Sequence, residues 1–124
     1  MTRHIEDKVR EERITMEIIV DAYGPEEQAM GWYYYLEDHI QFPFRAKCVS
    51  KRASSPLRPN ELIDVISMAP EEECEREMYV TVRWKNESLA VPLVQLKPNR
   101  DTDAKTRQAV EDWHYWMEMG YQLG

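Results

Sequence analysis

The sequence predicts an α+β protein in which helices from both ends of the chain pack on a small, SH3-like antiparallel β-barrel. Apolar residues recur at helical spacing near both ends of the chain and at alternate positions in its middle. With 124 residues, the chain can form one hydrophobic core and is too short for two ordinary domains. We therefore expect a single domain over residues 1–124, with helices at about 11–39 and 102–119 and the barrel at about 42–97.

Two helices are predicted before the barrel. Apolar residues at helical spacing predict the first helix from about 11 to 23. Gly24 and Pro25 favour a helix end followed by a new start, because glycine suits the position after a helix and proline suits the first turn. The second helix is predicted from about 25 to 39, and Pro43 ends the helical region because the residue before a proline avoids the α conformation.

Alternating apolar and polar residues predict the strands of the barrel. These strands are expected at about 44–49, 62–68, 78–84 and 89–96. The segment 85–88 (KNES) is typical of a hairpin turn, and Pro92 indicates an edge or a bulge in the last strand.

The final helix has signals at both of its ends. Asp101, Thr102 or Asp103 can cap its start, and Gly120 can end it. Its apolar residues are expected to pack on the barrel: Ala109, Val110, Trp113, Trp116 and Met117.

The chain is acidic, with 23 Asp and Glu against 16 Lys and Arg and a net charge of −7. Such a field repels nucleic acids and anionic membranes and attracts cations or basic partners. We therefore expect no nucleic-acid or membrane partner. A metal ion is the favoured ligand, and any protein partner is left unspecified.

The sequence gives no sign of export. The N-terminal segment 1–13 is highly charged and unlike a signal peptide, and no apolar run approaches the roughly 20 residues that span a bilayer. Cys48 and Cys74 do not form a CxxC pair or a disulfide framework. A cytoplasmic location is expected.

An acidic run follows Pro70 and lies between two predicted strands. Its carboxylates are Glu71, Glu72, Glu73, Glu75 and Glu77. One interpretation is a solvated loop, and the other is a site for calcium, which binds about 6–8 oxygens. If Pro70 opens a helical turn, Glu72 and Glu75 lie on one face, and a divalent ion would relieve the repulsion between such neighbours.

A second acidic pair, Glu37 and Asp38, lies at the predicted end of the second helix. Carboxylates are unfavourable there because the C-terminal end of a helix carries partial negative charge and unpaired carbonyls. A bound cation would make the carboxylates favourable at this position. Alternatively, the pair is simply exposed to solvent, and the unfavourable interaction with the helix end is tolerated. Both interpretations stay open on these residues alone.

Aromatic residues cluster in the segments 32–35 (WYYY) and 113–116 (WHYW). They could form an aromatic cage or peptide groove, or the packing between the helices and the barrel. Packing is the favoured interpretation.

Several motifs of known chemistry are missing. No segment fits the EF-hand loop, the P-loop, the GxGxxG pattern or the nucleophile elbow. His4, His39 and His114 are far apart and have no nearby cysteine, so a structural zinc site has little support. We therefore do not expect an enzyme.

Five segments of the sequence are distinctive in combination: 31–38 (GWYYYLED), 42–48 (FPFRAKC), 68–78 (MAPEEECEREM), 89–96 (LAVPLVQL) and 111–116 (EDWHYW). Together they resemble the CcbP family of cyanobacterial calcium-binding proteins. The likeness extends from about residue 16 to 121, and the combination is specific although no single motif is.

The resemblance implies calcium binding without an EF-hand, at two sites of unequal affinity. It also implies an intracellular calcium buffer or sensor linked to heterocyst differentiation. Asp38, beside Glu37, falls where the resemblance places the principal ligand. For Glu71, Glu72, Glu73 and Glu75 the charge argument and the matching motif agree. If the loop after Pro70 folds towards the second helix, Asp38 and these glutamates could share one basin.

The alternative is an SH3-like interaction module whose carboxylates are only its surface. Calcium binding by the isolated protein distinguishes the two hypotheses. A cysteine-dependent enzyme is the least favoured, because neither Cys48 nor Cys74 lies in a recognised nucleophile motif.

Overall fold

The computed structural model describes residues 7–123, where the chain forms three α-helices and a five-stranded antiparallel sheet. The helices are α1 (Lys8–Arg13), α2 (Pro25–His39) and α3 (Ala104–Glu118). The strands are β1 (Phe44–Cys48), β2 (Leu62–Met68), β3 (Tyr79–Trp84), β4 (Glu87–Pro92) and β5 (Leu96–Pro98). The expectations for residues 1–6, including the lack of a signal peptide, lie outside the described residues.

The first helical region differs from its prediction. It begins at Lys8, where Asp7 accepts a hydrogen bond from the Arg10 amide, and it continues from α1 into a π-helical turn, Ile14–Ile18. The predicted continuation to residue 23 is wrong, because the chain leaves the helix at Ile19 and Asp21 takes a left-handed φ of 59°. Such a helix end depends on tertiary structure, which the helical pattern of the sequence does not indicate.

The other helices match their signals. α2 begins at Pro25 and ends at His39, where extended Ile40 donates its amide to the Leu36 carbonyl. Asp103 caps α3 by accepting a hydrogen bond from the Thr106 amide, as one of the three proposed capping residues. None of the helices within residues 7–123 is long and apolar enough to cross a membrane.

The sheet has the strand order β4-β3-β2-β1-β5. β3 and β4 form a hairpin through Lys85 and Asn86, whose φ values of 48° and 65° fit a tight two-residue turn. The single strand predicted at 89–96 is wrong. β4 ends at Pro92, a 3-10 turn over Leu93–Gln95 follows, and β5 pairs with β1 on the far side of the sheet.

Closure into an SH3-like barrel is not confirmed. β4 and β5 form the two edges of the sheet, and no pairing joins them in the part of the chain that is described. The α+β class and the antiparallel pairing are as predicted.

The aromatic segments pack mainly into the core between the sheet and the helices. Trp32 of α2 lies edge-on to Trp113 of α3, with ring centroids 5.1 Å apart, and Trp116 packs against both rings. All three tryptophans are buried, whereas Tyr34 is exposed. The packing interpretation therefore holds for the tryptophans.

A buried carboxylate joins the three helices. Asp112 of α3 is fully buried and accepts hydrogen bonds from Arg13 at 2.9 and 2.7 Å and from the Tyr35 hydroxyl at 2.8 Å. Arg10 lies 3.0 Å from the same carboxylate. This network fixes α1 and α3 against the C-terminal half of α2.

Candidate functional site

The acidic loop between β2 and β3 is held by a buried cysteine. After Pro70, residues Glu71–Glu73 form one 3-10 turn, and the Cys74 amide donates to the Glu71 carbonyl at 2.9 Å. The Cys74 sulfur is buried and lies 3.3 Å from the Tyr79 amide, which donates to it. The loop therefore turns its glutamates outwards on a fixed base.

One cavity, of about 350 Å³, lies between this loop and α2. Glu71, Glu72 and Glu75 line it from the loop, and Glu26 and Tyr33 line it from α2. Glu72 and Glu75 share this cavity, as their spacing predicts. No lysine or arginine is among its lining residues.

A second cavity, of about 550 Å³, lies at the C-terminal end of α2. Glu37 and Asp38 line it together with Tyr34, His39 and Glu17, and Glu17 comes from the π-helical turn. The Asp38 side chain is 81% exposed, and its Oδ2 lies 3.7 Å from Nδ1 of the His39 ring. This cavity also has no lysine or arginine in its lining.

Tyr33 and Tyr34 each interact with carboxylates from both cavities. Burial is the main cause that raises the pKa of Tyr33 to about 12, and the charges of Glu37, Glu71 and Glu72 raise it further. Hydrogen bonding to Glu71 is the main cause that raises the pKa of Tyr34, and Glu37 adds to it. Carboxylates from the helix end and from the loop therefore act on the same pair of rings.

We call this surface the acidic face. It comprises Glu17, Glu26, Glu37, Asp38, Glu71, Glu72 and Glu75. Glu73 is exposed on the same turn but lines neither cavity. Neither cavity is lined by Asp38 together with the loop glutamates, so the expected common basin is two neighbouring cavities.

The carboxylates of the acidic face are not drawn together around a point. Within residues 7–123, no three His, Cys, Asp or Glu side chains are close enough to hold a metal ion. Mutual repulsion keeps like charges apart, so an ion would have to gather them and complete its shell with water.

The donor chemistry nevertheless fits a hard cation. Carboxylate oxygens are the ligands that calcium prefers. Burial raises the pKa of Cys74, which lines the first cavity, to about 11, so its thiol is protonated at neutral pH.

Sequence reasoning missed Glu17 and Glu26 as lining residues. Glu17 reaches the second cavity because the π-helical turn packs against α2 at Gly31, where an added Cβ would collide with the Ile18 carbonyl. No local signal in the sequence reports that contact.

Comparisons with known proteins find relatives that match most of the chain. A profile of the CcbP family, described as calcium binding, matches residues 12–117. The crystal structure of Anabaena CcbP is 40% identical, with a TM-score of 0.84, and the match covers 98% of both chains. A structure described as a calcium-binding protein in the calcium-binding form matches with the same values.

No curated protein matches the chain. The family match extends over most of the described residues, and it confirms the resemblance found in the sequence. The chain belongs to the CcbP family of calcium-binding proteins.

Proposed function

We propose that this protein is a non-EF-hand calcium buffer or sensor that binds calcium ions on the acidic face. The observation that carries the proposal is charge: the two cavities hold seven carboxylates and neither has a lysine or arginine in its lining. We propose two sites of unequal affinity, one at Glu37 and Asp38 and one at Glu71, Glu72 and Glu75, to which Glu73 adds negative charge from the same turn.

The proposed site at the end of α2 uses a charge that is unfavourable without an ion. Asp38 and Glu37 lie in the last turn of α2, where the helix already presents partial negative charge. Bound calcium would be attracted by the carboxylates and by the helix end together. We therefore assign the tighter site to Asp38, with Glu17 facing the ion across the cavity.

At the proposed loop site, a bound ion would relieve the repulsion between neighbouring carboxylates. Glu71, Glu72 and Glu75 face one cavity from a loop whose base is fixed by Cys74, and Glu26 faces them from α2. An ion that draws these carboxylates inwards replaces repulsion with attraction. With few protein ligands and several waters, each site is expected to bind on the order of micromolar to millimolar calcium.

This chemistry requires no reaction, and the family is not an enzyme family. We propose that residues 1–124 act as one calcium-binding domain in the cytoplasm. The proposed link to heterocyst differentiation rests on the family resemblance alone.

The test is calorimetric titration of chelator-stripped protein with calcium. Asp38→Ala should weaken the tighter site, and changing Glu71, Glu72, Glu73 and Glu75 to Gln should weaken the other. Asp101→Ala and Glu87→Gln are matched controls, because both residues are exposed and line neither cavity. Absence of binding up to millimolar calcium, or equal losses in the controls, would overturn the proposal.

A further inference from the structure

A third cavity differs from the acidic face in both place and charge. It has a volume of about 630 Å³, and β5, α3 and α1 contribute to its walls. Its cationic side chains are Arg10, Lys97, Arg100 and Arg107, against the two carboxylates of Glu111 and Glu118. On a chain with a net charge of −7, this lining is net positive.

Two of these cations are already engaged. Arg10 lies 3.0 Å from Asp112 and 3.4 Å from Glu111, which compensates most of its charge. Arg107 donates from Nε to the Thr102 carbonyl at 2.9 Å, which fixes its guanidinium beside the cavity.

Lys97 and Arg100 differ from Arg10 and Arg107 in their surroundings. Both are exposed, and within residues 7–123 neither side chain makes a hydrogen bond or an ion pair. Lys97 lies in β5, and Arg100 lies in the turn that follows the end of this strand at Pro98. Their donors are available to a ligand.

The remaining lining residues of this cavity are apolar or neutral. Val49 and Pro98 supply accessible apolar surface, whereas Val110, which also lines the cavity, is fully buried. His114 lies 2.8 Å from the Leu96 carbonyl through Nε2, and burial lowers its pKa, so its ring is neutral at pH 7. An apolar floor beside a few cationic donors, at this volume, is typical of small-molecule sites.

We propose that this cavity binds a small organic anion, with its carboxylate or phosphate group on Lys97 and Arg100 and its apolar body on Val49 and Pro98. Charge-assisted hydrogen bonds from lysine and arginine favour such groups. Glu118 faces the same cavity and disfavours anions, so it limits the affinity. Calcium binding on the acidic face is not required.

The test uses two fluorescent probes that share an apolar body. 8-Anilinonaphthalene-1-sulfonate carries an anionic group, and N-phenyl-1-naphthylamine is its neutral counterpart. Both are titrated into chelator-stripped protein, and the bound site is located from backbone amide shifts. The cavity variant is Lys97→Gln with Arg100→Gln. The control is Lys51→Gln with Arg58→Gln, which removes the same charge from exposed positions outside the cavity.

The sulfonate probe should bind more tightly than the neutral probe and shift amides in the segments 97–100 and 107–118. The cavity variant should lose at least about tenfold in affinity, the factor that corresponds to one of the two charge-assisted hydrogen bonds that it removes. Glu118→Gln should strengthen binding. Equal affinity of the two probes, equal losses in the two double variants, or shifts confined to other surfaces would overturn the proposal.

Discussion

Asp112 and Asp38 are the same residue type in opposite settings. Asp112 is fully buried between α1, α2 and α3, and it faces two arginines and a tyrosine hydroxyl. Asp38 is 81% exposed at the end of α2, with only the His39 ring at 3.7 Å. The first carboxylate is fully compensated by the fold, whereas the second leaves its charge for an ion.

Burial and pairing separate structural carboxylates from those that are available to a ligand. A buried charge must be paired, so Asp112 is committed to holding the helices together. An exposed charge without a cationic partner has little effect on stability and stays available. Most carboxylates of the acidic face share the setting of Asp38.

The largest effect is expected for Asp112→Asn. The change leaves Arg10 and Arg13 without their carboxylate, and breaking a buried pair costs about 3–5 kcal/mol. Because both arginines are partly exposed, we expect a loss at the lower end of this range. The unfolding free energy in urea titration should fall by about 3 kcal/mol. Asp64→Asn is the control, because its pair with Arg45 is exposed, and a loss as large there would contradict the comparison.

Gly31→Ala should break the contact that brings Glu17 to Asp38. The new Cβ would collide with the Ile18 carbonyl, and such overpacking costs about 1–3 kcal/mol. Displacement of the π-helical turn should also weaken calcium binding at Asp38. Gly24→Ala has open space at its Cβ and, although it replaces the N-cap residue of α2, should cost less stability than Gly31→Ala and leave calcium affinity nearly unchanged.

Tyr33→Phe should lower stability and alter its dependence on alkaline pH. The hydroxyl donates to the Ala69 carbonyl at 2.7 Å, and its loss costs about 1 kcal/mol at neutral pH. Because the folded pKa of Tyr33 is raised from 10.0 to about 12, the stabilising effect of its protonated form is lost as pH rises through this interval.

Denaturation at several pH values between about 9 and 12 should show this loss in the parent protein. The decline should be shallower in Tyr33→Phe, which has no hydroxyl to ionise. An identical pH dependence in both proteins would show that ionisation of Tyr33 does not cause the loss of stability at alkaline pH.

The smallest change in stability is expected for Asp38→Asn. Without calcium, its unfolding free energy should stay within about 0.5 kcal/mol of the parent, since the side chain is exposed. With calcium, the parent should gain stability through binding to the folded state and the variant should gain less. Equal gains in both would place the ion elsewhere.

Much of the fold could be predicted because its signals are local. Pro25 starts α2, Asp103 caps α3, and alternation defines β2 at 62–68. The early end of the first helical region and the break after Pro92 depend on contacts with distant segments, so periodicity extended both elements too far.

The candidate site was only partly visible in the sequence. The runs that contain Asp38 and Glu71 are conspicuous, but their separation into two cavities depends on how the loop meets α2. Glu17 reaches Asp38 only through tertiary packing. Asp112 could not be distinguished from Asp38 before its burial was known.

The most direct test of calcium binding on the acidic face is a two-dimensional amide NMR titration of chelator-stripped protein with calcium chloride. Saturable shifts should appear at residue 17, in 31–39 and in 71–75, with little change in 97–118. Shifts confined to 97–118, or no saturable shift up to millimolar calcium, would contradict the account.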